Sequence, residues 1–289
     1  MIDLQNHTIA SDGELAPEEL VDLAIEKKLS AIAITDHDSI GSVKKAVKYA
    51  QGKGIEVVPG VELSCDDPLF DYDKIDVLGL FVDVDNEELI RIIKHINDKR
   101  EENKEQIIGK LKSFGYEIEY EEVRKTVRGS FGNPHIAKYL MKKYPEEFSS
   151  VREVFEKLLR KGKKAFIQTT GRVSIKEAIR IIKGAKGIAI LAHPGIYPKD
   201  HAVKLIDYFI ENDGDGMETY YPYHIICPDL KMDEKGNEKL IQLFRKIARS
   251  KNILESGGND HHDKGRFTLG VVKIPDSVLV NLKKRIPLS

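Results

Sequence analysis

The stretch Ala31-Ile32-Ala33-Ile34-Thr35-Asp36-His37-Asp38 joins a short apolar run to a cluster of potential metal ligands. Consecutive apolar residues of this kind are typical of a strand buried on both faces of a parallel sheet. Similar apolar runs recur almost from end to end of the chain. They predict strands at residues 2–7, 31–35, 56–63, 76–82, 188–192, 216–220 and 253–256.

Amphipathic helical patterns separate these strands, for example over residues 17–28, where Pro17 stands at an early helical position, and over 174–186. The alternation of strand and helix predicts repeated βα units with parallel strands, and therefore an α/β barrel or a strongly curled sheet. Residues 87–164 interrupt this rhythm with a long charged helical pattern over 87–113. We therefore predict a discontinuous barrel, 1–86 plus 165–289, with a helical insertion, 87–164, over the barrel mouth. Outer barrel helices are the alternative interpretation of that segment.

Size and composition restrict the possible partners. The length of 289 residues suits a single α/β barrel. Lys plus Arg number 46 and Asp plus Glu 47, so the net charge of −1 provides no general attraction to nucleic acid or to a membrane. No apolar run is long enough to cross a bilayer, no signal-peptide pattern opens the chain, and Cys65 and Cys227 form no disulfide framework. We expect a cytoplasmic protein; the sequence does not indicate its oligomeric state.

Histidine and acidic side chains follow at least five of the predicted strands. They are His7 and Asp12 after the first strand, His37 after the second, Glu62 at the end of the third, His193 after the fifth, and Asp260 and His262 after the last. The carboxyl ends of parallel strands converge on one mouth, so we expect these side chains to meet there. Asp76 begins the fourth predicted strand and fits this site only if that strand is shifted or antiparallel.

Mixed imidazole and carboxylate ligands suit Zn, Mn or Fe better than Mg or Ca alone. The supply of ligands exceeds the need of one ion, so two or three divalent ions are predicted. Such a cluster lowers the pKa of a bound water toward neutrality and holds phosphate oxygens as charge develops on them. The predicted reaction is the hydrolysis of a phosphate ester.

Five motifs carry a family resemblance. They are Asp3-Leu4-Gln5-Asn6-His7-Thr8 with Ser11-Asp12-Gly13, Thr35-Asp36-His37-Asp38, Pro59-Gly60-Val61-Glu62, Leu191-Ala192-His193-Pro194-Gly195 and Asn259-Asp260-His261-His262. In this order they resemble the polymerase and histidinol phosphatase (PHP) superfamily of metal-dependent phosphoesterases, over almost the whole chain. The resemblance implies a distorted (β/α)₇ barrel with up to three metal ions.

The resemblance also implies which residues bind each ion. One ion is expected on His7, Glu62 and Asp260 with Gln5, a second on Glu62, His193 and Asp76, and a third on Asp12, His37 and His262. His7, Glu62, His193 and Asp260 are the expected catalytic residues. Gln5 and Asp76 stand where the family usually has histidine. A neutral amide is a weaker ligand and a carboxylate prefers harder ions, so these changes favour Mn or Fe, or leave the first site partly empty.

The segment between the barrel halves resembles the insertion of the nucleotide-hydrolysing branch of this superfamily. There, a motif matched by Gly132-Asn133-Pro134-His135-Ile136-Ala137 helps to hold the substrate phosphate, with Arg in place of Asn133. The loss of a bidentate guanidinium weakens that role, and Arg128 is a partial substitute. His135, Asn133, Arg128 and, beyond the insertion, His224 are therefore the predicted substrate residues.

The implied substrate is a small phosphorylated compound, with a nucleotide of the AMP or 3′,5′-bisphosphate type favoured. Three alternatives stay open at this point. One is a histidinol-phosphate phosphatase, and another is a 5′-to-3′ exoribonuclease on short RNA, for which Lys138, Lys142 and Lys143 would form a basic strip. The third is a nucleotide-binding module with an impaired metal cluster, favoured by Gln5, Asp76 and Asn133.

Overall fold

The computed structural model describes residues 1–70, 72, 74–127, 131–263 and 268–286. The chain forms two compact units, here called the barrel unit (Met1–Arg91 with Val173–Ser289) and the helical unit (Ile92–Arg172). The barrel unit contains one seven-stranded sheet in sequence order. Its strands are β1 Ile2–Asp3, β2 Ala31–Ile34, β3 Glu56–Cys65, β4 Ile75–Leu80, β5 Ile188–Leu191, β6 Gly216–Tyr220 and β7 Leu254–Gly257.

Strand β4 runs against its neighbours. It pairs antiparallel with both β3 and β5, whereas the other neighbouring pairs are parallel. The prediction of uniformly parallel strands is therefore wrong at β4. The physical reason lies in the short connection between Cys65 and Ile75, since a parallel crossover needs a dozen or more residues and usually a helix. Asp76 consequently lies at the end of the sheet where the parallel neighbours have their carboxyl ends.

Backbone hydrogen bonds close the curled sheet between its first and last strands. Leu4 N donates to Gly257 O at 3.0 Å, and Asp260 N donates to Gln5 O at 3.1 Å. His7 N donates to the carbonyl of the residue after Asp260 at 2.9 Å. The predicted distorted α/β barrel is confirmed. Its first strand, Ile2–Asp3, is shorter than the predicted range of residues 2–7.

Helices cover the sheet and build the second unit. They are α1 Pro17–Glu26, α2 Val43–Ala50, α3 Glu87–Ser113, α4 Tyr120–Arg124, α5 Asn133–Lys143, α6 Val151–Val154, α7 Ile175–Gly184, α8 Lys199–Glu211, α9 Tyr223–Ile226, α10 Glu234–Lys251 and α11 Asp276–Lys283. Local chemistry explains several of their starts. Pro17 opens α1, and Ser174 caps α7 by accepting the backbone N–H of Glu177 at 3.2 Å. None of the helices in the described ranges combines the length and apolar character needed to cross a membrane.

Each unit has an apolar core of its own. In the barrel unit, Ile2, Ala33, Val58, Leu78 and Ile190 come from five different strands and are fully buried. The core of the helical unit is built mainly from α3 to α6, and after α6 the chain continues as a π-helical turn over Phe155–Leu159. Large apolar side chains dominate this second core.

Candidate metal centre

Close backbone approaches hold the loops that carry the predicted ligands. A Cβ atom at Gly258 would lie 2.2 Å from Gln5 Cβ, so only glycine lets the segment after β7 pass this close to the segment after β1. A Cβ atom at Gly13 would lie 2.4 Å from His7 O. Gly258 therefore fixes how the first and last strand ends meet at Gln5, and Gly13 fixes the loop after β1 against His7.

The first group of ligand atoms is fully enclosed and matches the first expected ion. His7 Nε2 lies 3.1 Å from Glu62 Oε2 and 3.1 Å from Asp260 Oδ1. Gln5 Nε2 donates to Glu62 Oε1 at 3.1 Å, which leaves the amide oxygen of Gln5 buried and without a hydrogen-bond partner. His7, Glu62 and Asp260 thus offer three ligand atoms within 4.8 Å of one another, with the Gln5 amide alongside.

A second group brings together the residues expected for the third ion. His262 Nε2 lies 3.3 Å from Asp12 Oδ1, and His7 Nδ1 lies 3.7 Å from the same oxygen. The rings of His7 and His262 stack with centroids 4.0 Å apart. With His37, these residues form a four-membered group whose ligand atoms also lie within 4.8 Å of one another.

The third group differs from the expected combination. Asp76 groups with Glu62 and His37, rather than with Glu62 and His193. His193 still lies close, because its Nε2 is 3.2 Å from Glu62 Oε1 and 3.8 Å from Asp76 Oδ2. Lys74 also enters this group, with Nζ 3.1 Å from Asp76 Oδ2 and 3.3 Å from His37 Nε2. The antiparallel direction of β4 places both Lys74 and Asp76 here.

Three residues of the centre adopt left-handed backbone conformations. Their φ angles are 46° at Asp38, 27° at His193 and 50° at Asp260. Such conformations are uncommon for residues with a side chain, and they persist where the surrounding structure holds them. Two of the three, His193 and Asp260, are predicted ligands at strand ends. Their left-handed backbone directs both side chains toward Glu62.

The electrostatic field of the cluster follows from burial and close charges. Burial alone would lower the pKa of His7, but Asp260 and Glu62 outweigh it and raise the pKa well above its ordinary value. His193 behaves in the same way, since Glu62 raises its pKa to about 9 against the effect of burial. The pKa of Glu62 lies well below its usual range although burial raises it, because three imidazoles surround the carboxylate. Metal ions compete for such groups with protons, because a histidine must be neutral to bind a metal.

Neighbouring residues orient the predicted ligands. Tyr221 Oη donates to Asp260 Oδ2 at 2.6 Å, and Glu218 Oε2 accepts the backbone N–H of His193 at 2.9 Å. Ser11 Oγ donates to Asp36 Oδ1 at 2.6 Å, which ties the loop after β1 to the loop after β2. Partners of this kind fix the direction of a ligand and are part of the function of a metal site.

Sequence reasoning missed Lys74 and the orienting role of Tyr221. The spacing Lys74-Ile75-Asp76 contained a signal for the first, because residues two apart in a strand share a face. Tyr221 follows β6 directly, where the other strand ends carry ligands. In this segment the sequence predicts a role only for His224, three residues further on.

The donor set fits divalent cations. Among the predicted ligands, the buried atoms without a hydrogen-bond partner are Gln5 Oε1, His7 Nε2, His37 Nδ1, Glu62 Oε2, Asp76 Oδ1 and His193 Nδ1. Buried polar atoms are almost always satisfied in proteins, and so many unsatisfied ligand atoms within one cluster indicate that a ligand completes them. Imidazole, carboxylate and amide groups are the donors that first-row divalent metals accept.

Three of the four predicted substrate residues are in the described ranges, and none of these three is a member of the ligand groups. His224 lies on α9, is half-buried, and lines a surface cavity of about 570 Å³ together with Asn237 and Arg245. Asn133 and His135 lie in the first turn of α5 in the helical unit, where His135 Nδ1 accepts the backbone N–H of Gly132 at 3.1 Å. Arg128, the fourth predicted substrate residue, is outside the described residues.

A distorted α/β barrel that gathers His7, His37, Glu62, His193 and Asp260 at one end defines the class of metal-dependent phosphoester hydrolases. The chain belongs to the PHP family: the family model described as the PHP domain matches residues 3–173. The family assignment drawn from the sequence motifs is confirmed, and the protein is an enzyme that uses divalent metal ions.

Relatives of known description agree with this assignment. A 5′-3′ exoribonuclease of Haemophilus influenzae is 33% identical over 262 residues, which cover 90% of this chain and 89% of the relative. A 3′,5′-nucleoside bisphosphate phosphatase of Chromobacterium violaceum is 28% identical over 268 residues, covering 91% and 88%. A crystal structure from Bifidobacterium adolescentis, assigned as a metal-dependent phosphoesterase, superposes with a TM-score of 0.78 at 25% identity and covers 98% of this chain and 96% of that one.

Proposed function

We propose that this enzyme hydrolyses the phosphate ester of a nucleotide, of the AMP or 3′,5′-bisphosphate type. The position of Glu62 carries the proposal. This fully buried carboxylate lies 3.1 Å from His7 Nε2, 3.2 Å from His193 Nε2 and 3.5 Å from His37 Nδ1. A carboxylate surrounded by imidazoles in this way would serve neighbouring ions, and ions held there would supply the activated water and the charge neutralisation of phosphoester hydrolysis.

The ligand roles follow from the groups described above. His7, Glu62 and Asp260, with the Gln5 amide, would hold one ion, and Asp12, His37 and His262 a second. When bound, such ions lower the pKa of water and neutralise charge that develops on phosphoryl oxygens. We assign Mn, Fe or Zn to them on the chemistry of the donors.

The residues around the ligands have separate tasks. Tyr221 holds Asp260 through its hydroxyl, and the Glu218 carboxylate fixes the backbone of His193. The His193 imidazole, close to Glu62 and buried, is placed to donate a proton to an oxygen in this centre. Neighbouring carboxylates raise the pKa of both His7 and His193. Of these two, His193 moves the proton and His7 binds metal.

The nucleotide class rests on the relatives and on the substrate residues expected from the resemblance. The relative from Chromobacterium violaceum acts, by its description, on nucleoside 3′,5′-bisphosphates. We propose that His135 and Asn133 at the start of α5, with Arg128 and His224, hold the phosphate or the nucleoside. Asn133 offers an amide in place of a guanidinium fork, so we expect a weaker hold on the phosphate, seen as a higher KM.

Trimming of short RNA from the 5′ end is the second candidate, favoured by the description of the Haemophilus influenzae relative. The predicted basic strip on α5 has exposed lysines at Lys138 and Lys142, while Lys143 pairs with Glu117 at 3.7 Å. Exposed lysines on a helix are a modest signal, because they are usually a solvated face. The two candidates share one centre and differ in the length of the substrate.

The test compares phosphoester substrates with Mn²⁺ added and the metal content verified. Release of inorganic phosphate from AMP and from adenosine 3′,5′-bisphosphate supports a nucleotidase, whereas release of mononucleotides from a 5′-phosphorylated RNA of five residues supports the exoribonuclease. Histidinol phosphate serves as the comparison substrate, and preferred turnover of it would overturn the nucleotide class. Glu62→Gln is the inactive control and Glu211→Gln, at the exposed end of α8, the matched active one. No turnover of any of these esters by the metal-loaded protein would defeat the proposal.

A further inference from the structure

Lys74 brings a fixed positive charge into the third ligand group. It directly precedes β4, and its carbonyl accepts the hydroxyl of Tyr197 at 3.3 Å. Its ammonium lies 3.1 Å from Asp76 Oδ2 and 3.3 Å from His37 Nε2, so it donates to two of the three members of that group. Among the described residues, Lys74 alone brings an ammonium or guanidinium within 4.0 Å of a predicted ligand carboxylate.

Lys74 offsets one of the two negative charges in this group. Asp76 is almost fully buried and adds a second carboxylate beside Glu62. A buried carboxylate needs a cation or a set of hydrogen bonds close by. The ammonium of Lys74, two residues before Asp76 and just outside β4, supplies that cation, so Asp76 does not require a metal ion to be stable in this place.

A metal ion bound to this group would lie close to the ammonium. Metals such as Zn bind carboxylate oxygens at about 2.0–2.2 Å, so an ion on Asp76 Oδ2 would lie no more than about 5 Å from Lys74 Nζ. Two cations at that distance repel each other, and water at the Lys74 side chain, which is 39% exposed, weakens this repulsion without removing it. His37 Nε2 is engaged by the same ammonium, so an incoming ion is left with Nδ1 of that ring.

We propose that the Lys74 ammonium takes the place of a metal ion in the His37–Glu62–Asp76 group, so that the centre works with two ions and one lysine. This inference rests on the proposed function only in assuming that the other two groups bind metal. The two departures from the family pattern then have different consequences. Gln5 weakens metal binding in the His7–Glu62–Asp260 group, which still holds an ion. Asp76 forms an ion pair with Lys74, which prevents an ion from binding to the His37–Glu62–Asp76 group.

Metal stoichiometry tests the proposal without reference to turnover. The full-length protein and its variants are equilibrated with Mn²⁺, dialysed, and analysed for bound Mn per chain by inductively coupled plasma mass spectrometry. We expect two ions for the unaltered chain and for Lys74→Arg, which keeps the charge. We expect one further ion for Lys74→Met, because the group is then open. Lys44→Met is the matched control; this exposed lysine pairs with Asp85 on the surface and should leave the count unchanged.

The reciprocal variant, Asp76→Asn, sharpens the test. If Asp76 serves only as the partner of Lys74, this variant keeps two ions, and the loss of an ion would overturn the proposal. Three ions in the unaltered chain, or equal counts for the unaltered chain and Lys74→Met, would overturn it as well. Thermal melting with and without Mn²⁺ verifies that each variant is folded. A chain that binds two ions but hydrolyses no phosphoester would defeat the proposed function and leave this inference intact.

Discussion

The buried titratable side chains of the barrel unit come from segments far apart in sequence, whereas the helical unit buries a nearly apolar cluster. His7, Glu62 and Asp260 are almost fully enclosed. His7 Nε2 lies 3.1 Å from Glu62 Oε2 and 3.1 Å from Asp260 Oδ1. Among the described residues of the helical unit, Lys104 is the buried charged side chain, and burial with the nearby Arg100 and Arg172 outweighs the carboxylate of Glu101 in lowering its pKa. In the barrel unit, the buried charged groups together form a ligand site. In the helical unit, the buried charge of Lys104 only lowers the stability of the fold.

The largest expected effect is on the shared carboxylate of the barrel unit. Glu62→Gln should lower kcat/KM by on the order of 10³-fold, about 4 kcal/mol, because a neutral amide no longer bridges two ligand groups. Gln5→Ala should lower it only by about 10–100-fold, since Gln5 is a neutral ligand at the edge of one group. Steady-state kinetics in saturating Mn²⁺ measures both. Equal losses from the two variants would contradict the ligand assignment.

The next expected effect concerns the buried ammonium of the helical unit. Lys104 is 4% exposed and donates to Asn103 Oδ1 at 3.0 Å. Its burial, reinforced by the nearby Arg100 and Arg172, lowers its pKa to about 8 from 10.5. The unfolded chain therefore binds more protons between these pH values, and stability rises as the pH increases through this window.

Lys104→Met should thus stabilise the protein at pH 7 by up to about 3 kcal/mol, and the gain should shrink toward zero near pH 10.5. Denaturant unfolding at several pH values measures the difference between the variant and the unaltered chain. The exposed Lys94, which pairs with Asp98, gives the control Lys94→Met. A pH-independent gain would show that the Lys104 ammonium is not the destabilising group.

Much of the barrel could be predicted because its strands are short, apolar and bounded by polar residues. Strand β6 Gly216–Tyr220 and helix α3 Glu87–Ser113 match the predicted ranges. The direction of β4 could not be read from its residues, because an apolar run has the same pattern in either direction. Only the shortness of the connection before it, and the odd position of Asp76 at a strand start, pointed to an antiparallel strand.

For the candidate site, the sequence predicts which residues carry potential ligands but not how they pair. His7, His37 and Asp260 follow strands, Glu62 lies within β3, and strand ends converge by topology alone. The choice of partners within the cluster could not be predicted, since it depends on side-chain directions that no spacing fixes. Lys74 is an intermediate case: its spacing from Asp76 indicates a shared face, but only the folded chain places its ammonium on Asp76 Oδ2.

A smaller effect concerns the hydroxyl that supports a ligand. Tyr221→Phe removes the hydrogen bond to Asp260 Oδ2 and should weaken Mn²⁺ binding about 10–100-fold, as for other partners that orient a metal ligand. Isothermal titration with Mn²⁺ measures the change in Kd. Tyr49→Phe is the matched control, because Tyr49 Oη donates to Asp22 Oδ2 at 2.8 Å on the surface of the same unit. Unchanged Mn²⁺ affinity in Tyr221→Phe would mean that Asp260 is held in place by other contacts.

The smallest effect uses the same helix cap in the two units. Ser150 accepts the backbone N–H of Glu153 at 3.2 Å at the start of α6, and Ser174 accepts that of Glu177 at 3.2 Å at the start of α7. Replacing either serine with alanine should destabilise its helix by about 1 kcal/mol, since one N–H loses its acceptor. Hydrogen exchange should show faster exchange at α6 in Ser150→Ala and at α7 in Ser174→Ala, with the Mn²⁺ content unchanged in both. Loss of bound metal in Ser150→Ala would show that the helical unit supports the metal centre, and the contrast between a ligand-bearing unit and a purely apolar one would then have to be abandoned.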